Sequence, residues 1–268
     1  MTSPGTRPAI TVALDIGGSS VKSGRVVDGA PAGEVVITPL VRDAPADALV
    51  AALAAAIRVP AGDTGDGPLH VAAAVPHPFD HAAGVSLMTH KFAALHGRPL
   101  GPLIAAELGR VVSVRWCNDA AAAVAGEALA GAGAGRRTVL GVTLGTGLGA
   151  ALVRDGAVVA EVGDVTIGNL WQTRLSGGRV ADRAFAARTL LAAVEADAGA
   201  GGARFGAELA DLLDPIVAAA GADIVVVGGG GAGSFAHIAD AMRQRLPVPV
   251  EPARLGPWAA LLGATHLT

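Results

Sequence analysis

The sequence predicts an α/β protein of two lobes, and three observations carry that expectation. One glycine-turn hairpin occurs twice, as VALDIGGSSVKSGRVVDGA at 12–30 and as LGVTLGTGLGAALVRDGAVV at 140–159. Apolar residues at helical spacing follow each copy, at 45–57 after the first and at 182–197 and 205–220 after the second. Short β-rich runs at 69–75, 111–116 and 224–227 alternate with those helices.

Along the chain, 9–30 reads as two strands joined by the tight turn Gly17-Gly18-Ser19-Ser20, with a third strand around 34–40. The pairs Asp28-Gly29 and Asp155-Gly156 are strong hairpin signals, because the favoured two-residue turns need left-handed backbone. The strand at 69–75 is ended by Pro76-His77-Pro78, since proline cannot donate to a central ladder. The stretch 79–101 lacks periodicity and reads as an irregular connecting loop outside the core. A short helix at 103–109 and a strand at 111–116 lead to Cys117-Asn118-Asp119. An alanine-rich helix to about Ala130 follows, then a Gly/Ala loop ending at Arg136-Arg137. Composition places a domain break at that loop, with the second hairpin opening the second domain. A polar irregular region is expected at 162–180. The buried strand 224–227 runs into Gly228–Gly231, and further helices are expected at 234–245 and 257–267.

Composition excludes several classes of function. A net charge of −3 and a pI near 6.1 offer no basic field for nucleic acid or an anionic membrane surface. One cysteine, Cys117, allows neither an internal disulfide framework nor a cysteine cluster for zinc, and it reads as a small buried hydrophobe rather than a nucleophile. No secretory signal is visible, so a cytoplasmic protein is expected. The mean hydropathy of +0.51 does not imply a membrane span, because apolar runs such as 138–153 are broken by glycines and fall short of the ~18–20 residues a helix needs to cross. The chemistry of a small molecule is favoured.

The glycine turns suggest which chemistry. A residue without Cβ lets backbone N–H groups meet anionic oxygens directly, so two such hairpins can hold one phosphate chain. Both copies read as β-turn-β units. That argues against a P-loop, whose lysine must open a helix, although Lys22 follows glycines. It equally weakens a dinucleotide reading of Gly145-Thr146-Gly147-Leu148-Gly149. A second coincidence, Gly-x-Gly-x-x-Gly at 228–233 with Glu251 downstream, fails as a dinucleotide fold because too little chain remains after Glu251.

These residues, in this order, resemble the ROK family of sugar kinases: Asp15-Ile16-Gly17-Gly18-Ser19-Ser20-Val21-Lys22, Asn118-Asp119-Ala120 with Gly126-Glu127, Leu144-Gly145-Thr146-Gly147, and the glycine run after Ile224. The resemblance implies two ribonuclease-H-like lobes of the actin/hexokinase type around a nucleotide and substrate cleft. The N-terminal lobe would be 1–117, completed by the C-terminal helix 257–268, and the C-terminal lobe 118–256. It further implies ATP held by Gly17, Gly18, Ser19, Lys22, Gly145, Thr146 and Gly147, with Gly229 and Gly230 toward the adenosine. Mg²⁺ would lie near Asp15, through water, and the sugar beside Asp119. A homodimer is the expected assembly.

Residue chemistry agrees with this picture. A sugar hydroxyl is a poor nucleophile, and a carboxylate within hydrogen-bond reach can accept its proton. Asp119, ending a strand and opening a helix, suits that role, and there the partial positive charge favours its ionised form. Asn118 and Asp119 are also good helix caps. Asp15 offers oxygen to a hard cation and could equally stabilise its turn. Lys22 could serve phosphate or be a solvated strand residue.

Two departures from the family bear on the acceptor. The family's Gly-Glu-x-Gly-His aligns with Val165-Thr166-Ile167-Gly168-Asn169, so Thr166 stands where glutamate would contact the sugar and Asn169 where a zinc-binding histidine would stand. No structural zinc is expected, and an amino sugar, modified hexose or cyclitol is favoured over glucose. His90 falls near the family's substrate-binding asparagine and is a candidate substrate contact. A non-catalytic sugar sensor and a polyphosphate-dependent kinase are the alternatives. The first strand begins too early for an N-terminal DNA-binding domain, and no basic groove for polyphosphate is visible.

Overall fold

The computed structural model describes residues 10–64, 67–161, 170–197 and 199–267. The chain folds as two compact units, one running to Ala122 and including Ala260 onward, the other spanning Ala123–Ala259.

The first unit opens with β1 (Ile10–Ile16), β2 (Ser20–Val27) and β3 (Ala30–Pro39), an antiparallel meander. Asp28 and Gly29 take φ of 50° and 79°, the left-handed pair that a two-residue hairpin turn requires. Helix α1 (Ala46–Ala61) begins after Pro45, places Leu49, Leu53 and Ile57 inward, and stops where Pro60 and a positive-φ Gly62 end the helical backbone. Strand β4 (Leu69–Val75) then pairs parallel with β1. A short hairpin, β5 (Phe79–Asp80) with β6 (Val85–Ser86), precedes α2 (Leu100–Leu108), and β7 (Val112–Asn118) pairs parallel with β4. The sheet order is β3-β2-β1-β4-β7. Helix α3 (Asp119–Ala130) starts in this unit and ends in the next.

The second unit repeats that plan. Strands β8 (Thr138–Leu144), β9 (Leu148–Arg154) and β10 (Ala157–Glu161) form the meander, with Asp155 and Gly156 at φ of 50° and 81°. Helices α4 (Ala181–Ala184), α5 (Ala187–Ala196) and α6 (Ala200–Ala220) follow, then β11 (Ile224–Gly228), α7 (Ala239–Arg243) and β12 (Val250–Pro252). The order β10-β9-β8-β11-β12 matches the first sheet strand for strand, including the two parallel pairings. Helix α8 (Trp258–Leu267) straddles the division between the units. Each unit has its own apolar core, built on Leu14, Val71 and Ile57 in the first and on Leu140, Val225 and Leu209 in the second. Among the described residues no helix is long and apolar enough to cross a membrane.

Four expectations are corrected. The stretch 79–101 is not outside the core, because Phe79, Met88, Phe92 and Leu95 are buried in the apolar core of the first unit. Its anchors are spaced irregularly, so no period betrays them. The helix expected at 182–197 is broken at Phe185 between α4 and α5, and 234–245 is a 3₁₀ run at 230–237 followed by the short α7. Helix α6 starts before 205, at Ala200, and along it Gly202 and Gly206 pack closely on His237 and Ile238, where side chains would not fit.

Glu127, on α3, is 2% exposed. Its carboxylate accepts the backbone N–H groups of Ala132, Arg254 and Leu255 at 2.8, 2.9 and 2.8 Å. A buried carboxylate is tolerated only when its lone pairs are satisfied, and here it ties α3 to two loops of the second unit.

Candidate active site

In the first unit, the parallel strands β1, β4 and β7 deliver chemistry to the edge formed by their C-terminal ends. Asp15 lies beside Ala74 in the β1–β4 register, and Ala74 beside Cys117 in the β4–β7 register. Asp15, His77 and Asp119 therefore emerge from adjacent strands at one end of the sheet, where ligands of open α/β sheets bind.

Lys22 stands directly opposite Asp15 across β1–β2, and its Nζ donates to Asp15 Oδ2 at 2.8 Å. Lys22 is thus engaged with a carboxylate rather than solvated. In the first turn the Gly17 N–H is spent on Ser20 C=O at 2.9 Å. Gly18 differs: a Cβ there would meet nothing within 4 Å, and its φ is not positive. Packing does not explain that glycine, whereas an anion approaching the turn would.

Asn118 and Asp119 divide their work. Asn118 Oδ1 accepts the Ala121 N–H at 3.0 Å, so Asn118 is the helix cap. Asp119 Oδ1 accepts from Ala120 N–H at 2.8 Å and from Asn118 Nδ2 at 3.2 Å. Asp119 Oδ2 has no hydrogen-bond partner among the described residues and is the oxygen left to meet a hydroxyl. Burial pushes the Asp119 carboxyl above the ordinary aspartate value, and Asp15 adds to that shift. The Ala120 N–H, Lys91 and His77 act in the opposite direction.

Sequence alone singles out His90 in the segment before α2 and passes over its neighbour Lys91. His90 is exposed, whereas Lys91 is half-buried and interacts electrostatically with Asp119. The available signal is a lysine between a histidine and a phenylalanine that turns out to be a core anchor. Burial holds the Lys91 ammonium below its ordinary value, opposed by Asp119.

The second turn, in the second unit, is neutral. Gly145 N–H is bound to Gly147 C=O and Gly145 C=O to Ala187 N–H, both at 2.9 Å, while Thr146 is exposed at the tip. A Cβ on Gly147 would lie 1.9 Å from Asp182 Oδ1, which accepts the Leu148 N–H at 3.2 Å. Asp182 is a second residue that sequence reasoning passes over, although an acid at the start of a helix is visible there. Gly229, at φ 80°, packs where a Cβ would lie 2.7 Å from Leu144 O, so a strand-to-helix connection accounts for it without a ligand. Gly230 meets only ordinary contacts. Thr166 and Asn169 lie outside the described residues.

No group of three or more His, Cys, Asp or Glu among the described residues is placed to hold a metal ion. A magnesium ion normally keeps several waters and takes one or two carboxylates plus substrate phosphates. With Lys22 on Oδ2, the Asp15 carboxylate fits that role through water rather than as part of a protein cage.

Comparison with known proteins places the fold in the actin/hexokinase class. The inorganic polyphosphate/ATP-glucomannokinase of Arthrobacter sp. strain KM is 29% identical, with a TM-score of 0.72 over 96% of both chains. A ROK hexokinase from Thermus thermophilus is 26% identical, with a TM-score of 0.71 over 96% of both. A glucokinase of Thermotoga maritima is 29% identical over 164 residues, 58% of this chain and 50% of the relative, so the match spans half of that protein's length. The profile of the ROK family matches residues 11–168, more than half of the chain, and this protein belongs to the ROK family.

Proposed function

We propose that this protein is an ATP- and Mg²⁺-dependent phosphotransferase acting on a hydroxyl of a small sugar or sugar-like polyol. The observation that carries the reading is Asp119, half-buried, with one oxygen held by Ala120 and Asn118 and the other open beside Asp15. Sugar kinases among its relatives support it.

Asp119 Oδ2 accepts the proton of the acceptor hydroxyl while that oxygen bonds to the terminal phosphorus and the phosphorus–oxygen bond to the donor breaks. General-base assistance of this kind contributes roughly 10²–10⁴-fold. Asn118 acts by orientation, holding Oδ1 so that Oδ2 faces the acceptor. Backbone donors of the turns at 17–20 and 145–147 serve the phosphates, with the open space at Gly18 as the approach. Asp15 would hold Mg²⁺ through water, and that ion would neutralise charge on the phosphate oxygens. The replacements at Thr166 and Asn169 favour an amino sugar, modified hexose or cyclitol over glucose. The Arthrobacter enzyme is named for both polyphosphate and ATP, and that name alone supports polyphosphate as a second donor.

The test is nucleotide-dependent phosphorylation across sugars, amino sugars and cyclitols with ATP or polyphosphate as donor, with and without Mg²⁺. Transfer to at least one acceptor, dependent on Asp119, is the expected result. No transfer to any acceptor from either donor would overturn the reading.

A further inference from the structure

We propose that the outer edge of β7 is a docking groove for an extended acidic segment of a partner protein, which adds to the five-stranded sheet of the first unit as one more strand. The groove lies wholly in the first unit, and its occupancy does not depend on the phosphotransferase reading.

Strand β7 stands at the end of its sheet, with β4 on one side only. Leu69 N–H donates to Val111 C=O at 3.0 Å, and that bond fixes the side to which each residue of β7 points. Successive residues of a strand direct their N–H and C=O groups to opposite sides, so those of Ser113 and Arg115 pair with β4 and those of Val112, Val114 and Trp116 face outward. The outward groups have no hydrogen-bond partner among the described residues. An unpaired edge is a template for another chain, and proteins guard it with proline, charge, bulges or short strands. The other outer strands of the two five-stranded sheets are guarded in this way. Strand β3 carries Pro31, Glu34 and Pro39 and pairs with β2 through a shifted register, β10 pairs with β9 through another, and β12 is three residues long and ends in Pro252. Strand β7 keeps seven consecutive pairs with β4, contains no proline and carries one charge, Arg115.

Shape and charge define the occupant. Residues 112–116 line a groove of about 690 Å³ together with Gly101 and Ala105 of α2, the turn at 81–84 and Leu267 of α8. At ~3.3 Å per residue those five strand residues span about 17 Å, room for a partner strand of similar length. The small side chains of α2 and the turn leave space for those of the partner. Gly84 brings the turn against Trp116, since a Cβ there would lie 2.6 Å from Trp116 Nε1. A concave edge of this kind admits one extended chain, whereas a second copy would have to bring its own α2 and turn into the same space. The ionisable side chains lining the groove are His81 and Arg115, and no carboxylate lines it among the described residues. Opposite charges on neighbouring strands attract and like charges directly opposite repel, so glutamate or aspartate is the favoured residue facing Arg115. Main-chain bonds to the edge would supply affinity, and the alternate side chains specificity.

The experiment follows the fluorescence anisotropy of a labelled heptapeptide of alternating valine and glutamate added to the full chain. Two controls accompany it, the same peptide with lysine for glutamate and the glutamate peptide N-methylated at each internal amide. The glutamate peptide should bind about tenfold or more tightly than either, because a charge-assisted bond, or a few backbone bonds together, contributes about that factor. Hydrogen exchange at the amides of Val112, Val114 and Trp116 should slow on binding, with those of Ser113 and Arg115 little changed. Val114→Pro removes an outward N–H and leaves the ladder to β4 intact, a position where edge strands tolerate proline, so peptide binding should fall by about tenfold. Arg115→Glu should turn the preference toward the lysine peptide, and it decides the matter should Val114→Pro fail to fold. Three results would overturn the proposal: no binding of the glutamate peptide, equal binding of the lysine peptide, or exchange at the three outward amides that slows with protein concentration alone. The last would mark a second copy as the occupant.

Discussion

The two units share a scaffold but not its chemistry. Their sheets have the same order and the same parallel and antiparallel pairings, and both Asp-Gly turns adopt the same left-handed pair. In the first hairpin the last opposed pairs are Asp15 with Lys22 and Ile16 with Val21; in the second they are Thr143 with Gly149 and Leu144 with Leu148. The ion pair of the first unit thus corresponds to a threonine and a glycine in the second. The first turn has four residues between its last paired positions and the second has three. One scaffold therefore occurs twice with different loads. The first copy carries carboxylates and ammonium groups, and the other keeps neutral donors and takes its acid, Asp182, from a helix.

The strongest way to break this comparison is to remove the acid that the first unit alone supplies. Asp119→Asn should lower turnover by about 10²-fold or more while acceptor binding persists, because an amide cannot take the proton. Steady-state kinetics with a binding isotherm checks this, and near-normal turnover would place the base elsewhere.

Glycines sharpen the contrast between turns that serve the fold and turns that serve a ligand. Gly229→Ala forces a side chain into φ 80° and against Leu144 O, and should cost about 2 kcal/mol or more in denaturant melts. Gly18→Ala meets no protein atom, so its melt should be nearly that of the parent, with the loss appearing in nucleotide affinity. A Gly18→Ala protein that is as destabilised as Gly229→Ala would show that both turns serve the fold.

The acid of the first unit should also set a pH dependence. Because burial raises the Asp119 pKa, the folded protein keeps that proton to higher pH than the unfolded chain does. The favourable contribution is present below the unfolded value, about 3.9, and is lost as pH rises through the higher folded value. Asp119→Asn should therefore be more stable than the parent at neutral pH in Mg²⁺-free buffer, with the gap closing in acid. The acid limb of kcat/KM should lie above the range of an ordinary carboxylate. A limb at or below it would mean that Asp119 is not buried in the working enzyme.

The smallest effect is expected at the ion pair. Lys22 is 39% exposed and Asp15 15%, so Lys22→Met should change stability by no more than about 1 kcal/mol. Nucleotide and Mg²⁺ dependence should move more than the melt does, since Asp15 then loses its counter-charge.

Much of this is legible in the residues. Glycine turns, Asp-Gly pairs and proline stops are local instructions, because backbone conformation follows from the presence or absence of a Cβ or an N–H, and so the hairpins and most strands are readable without a partner. The capping position at Asn118 and the acid at Asp119 follow from the same local rules. Tertiary structure decided the rest. Phe79, Met88, Phe92 and Leu95 have no period and became core only because α1 and the sheet present a surface to them. Asp182 acquired its place because Gly147 leaves room for its carboxylate. A residue's charge is written in the sequence, but the groups that face it depend on contacts between segments far apart in the chain, and local spacing does not encode them.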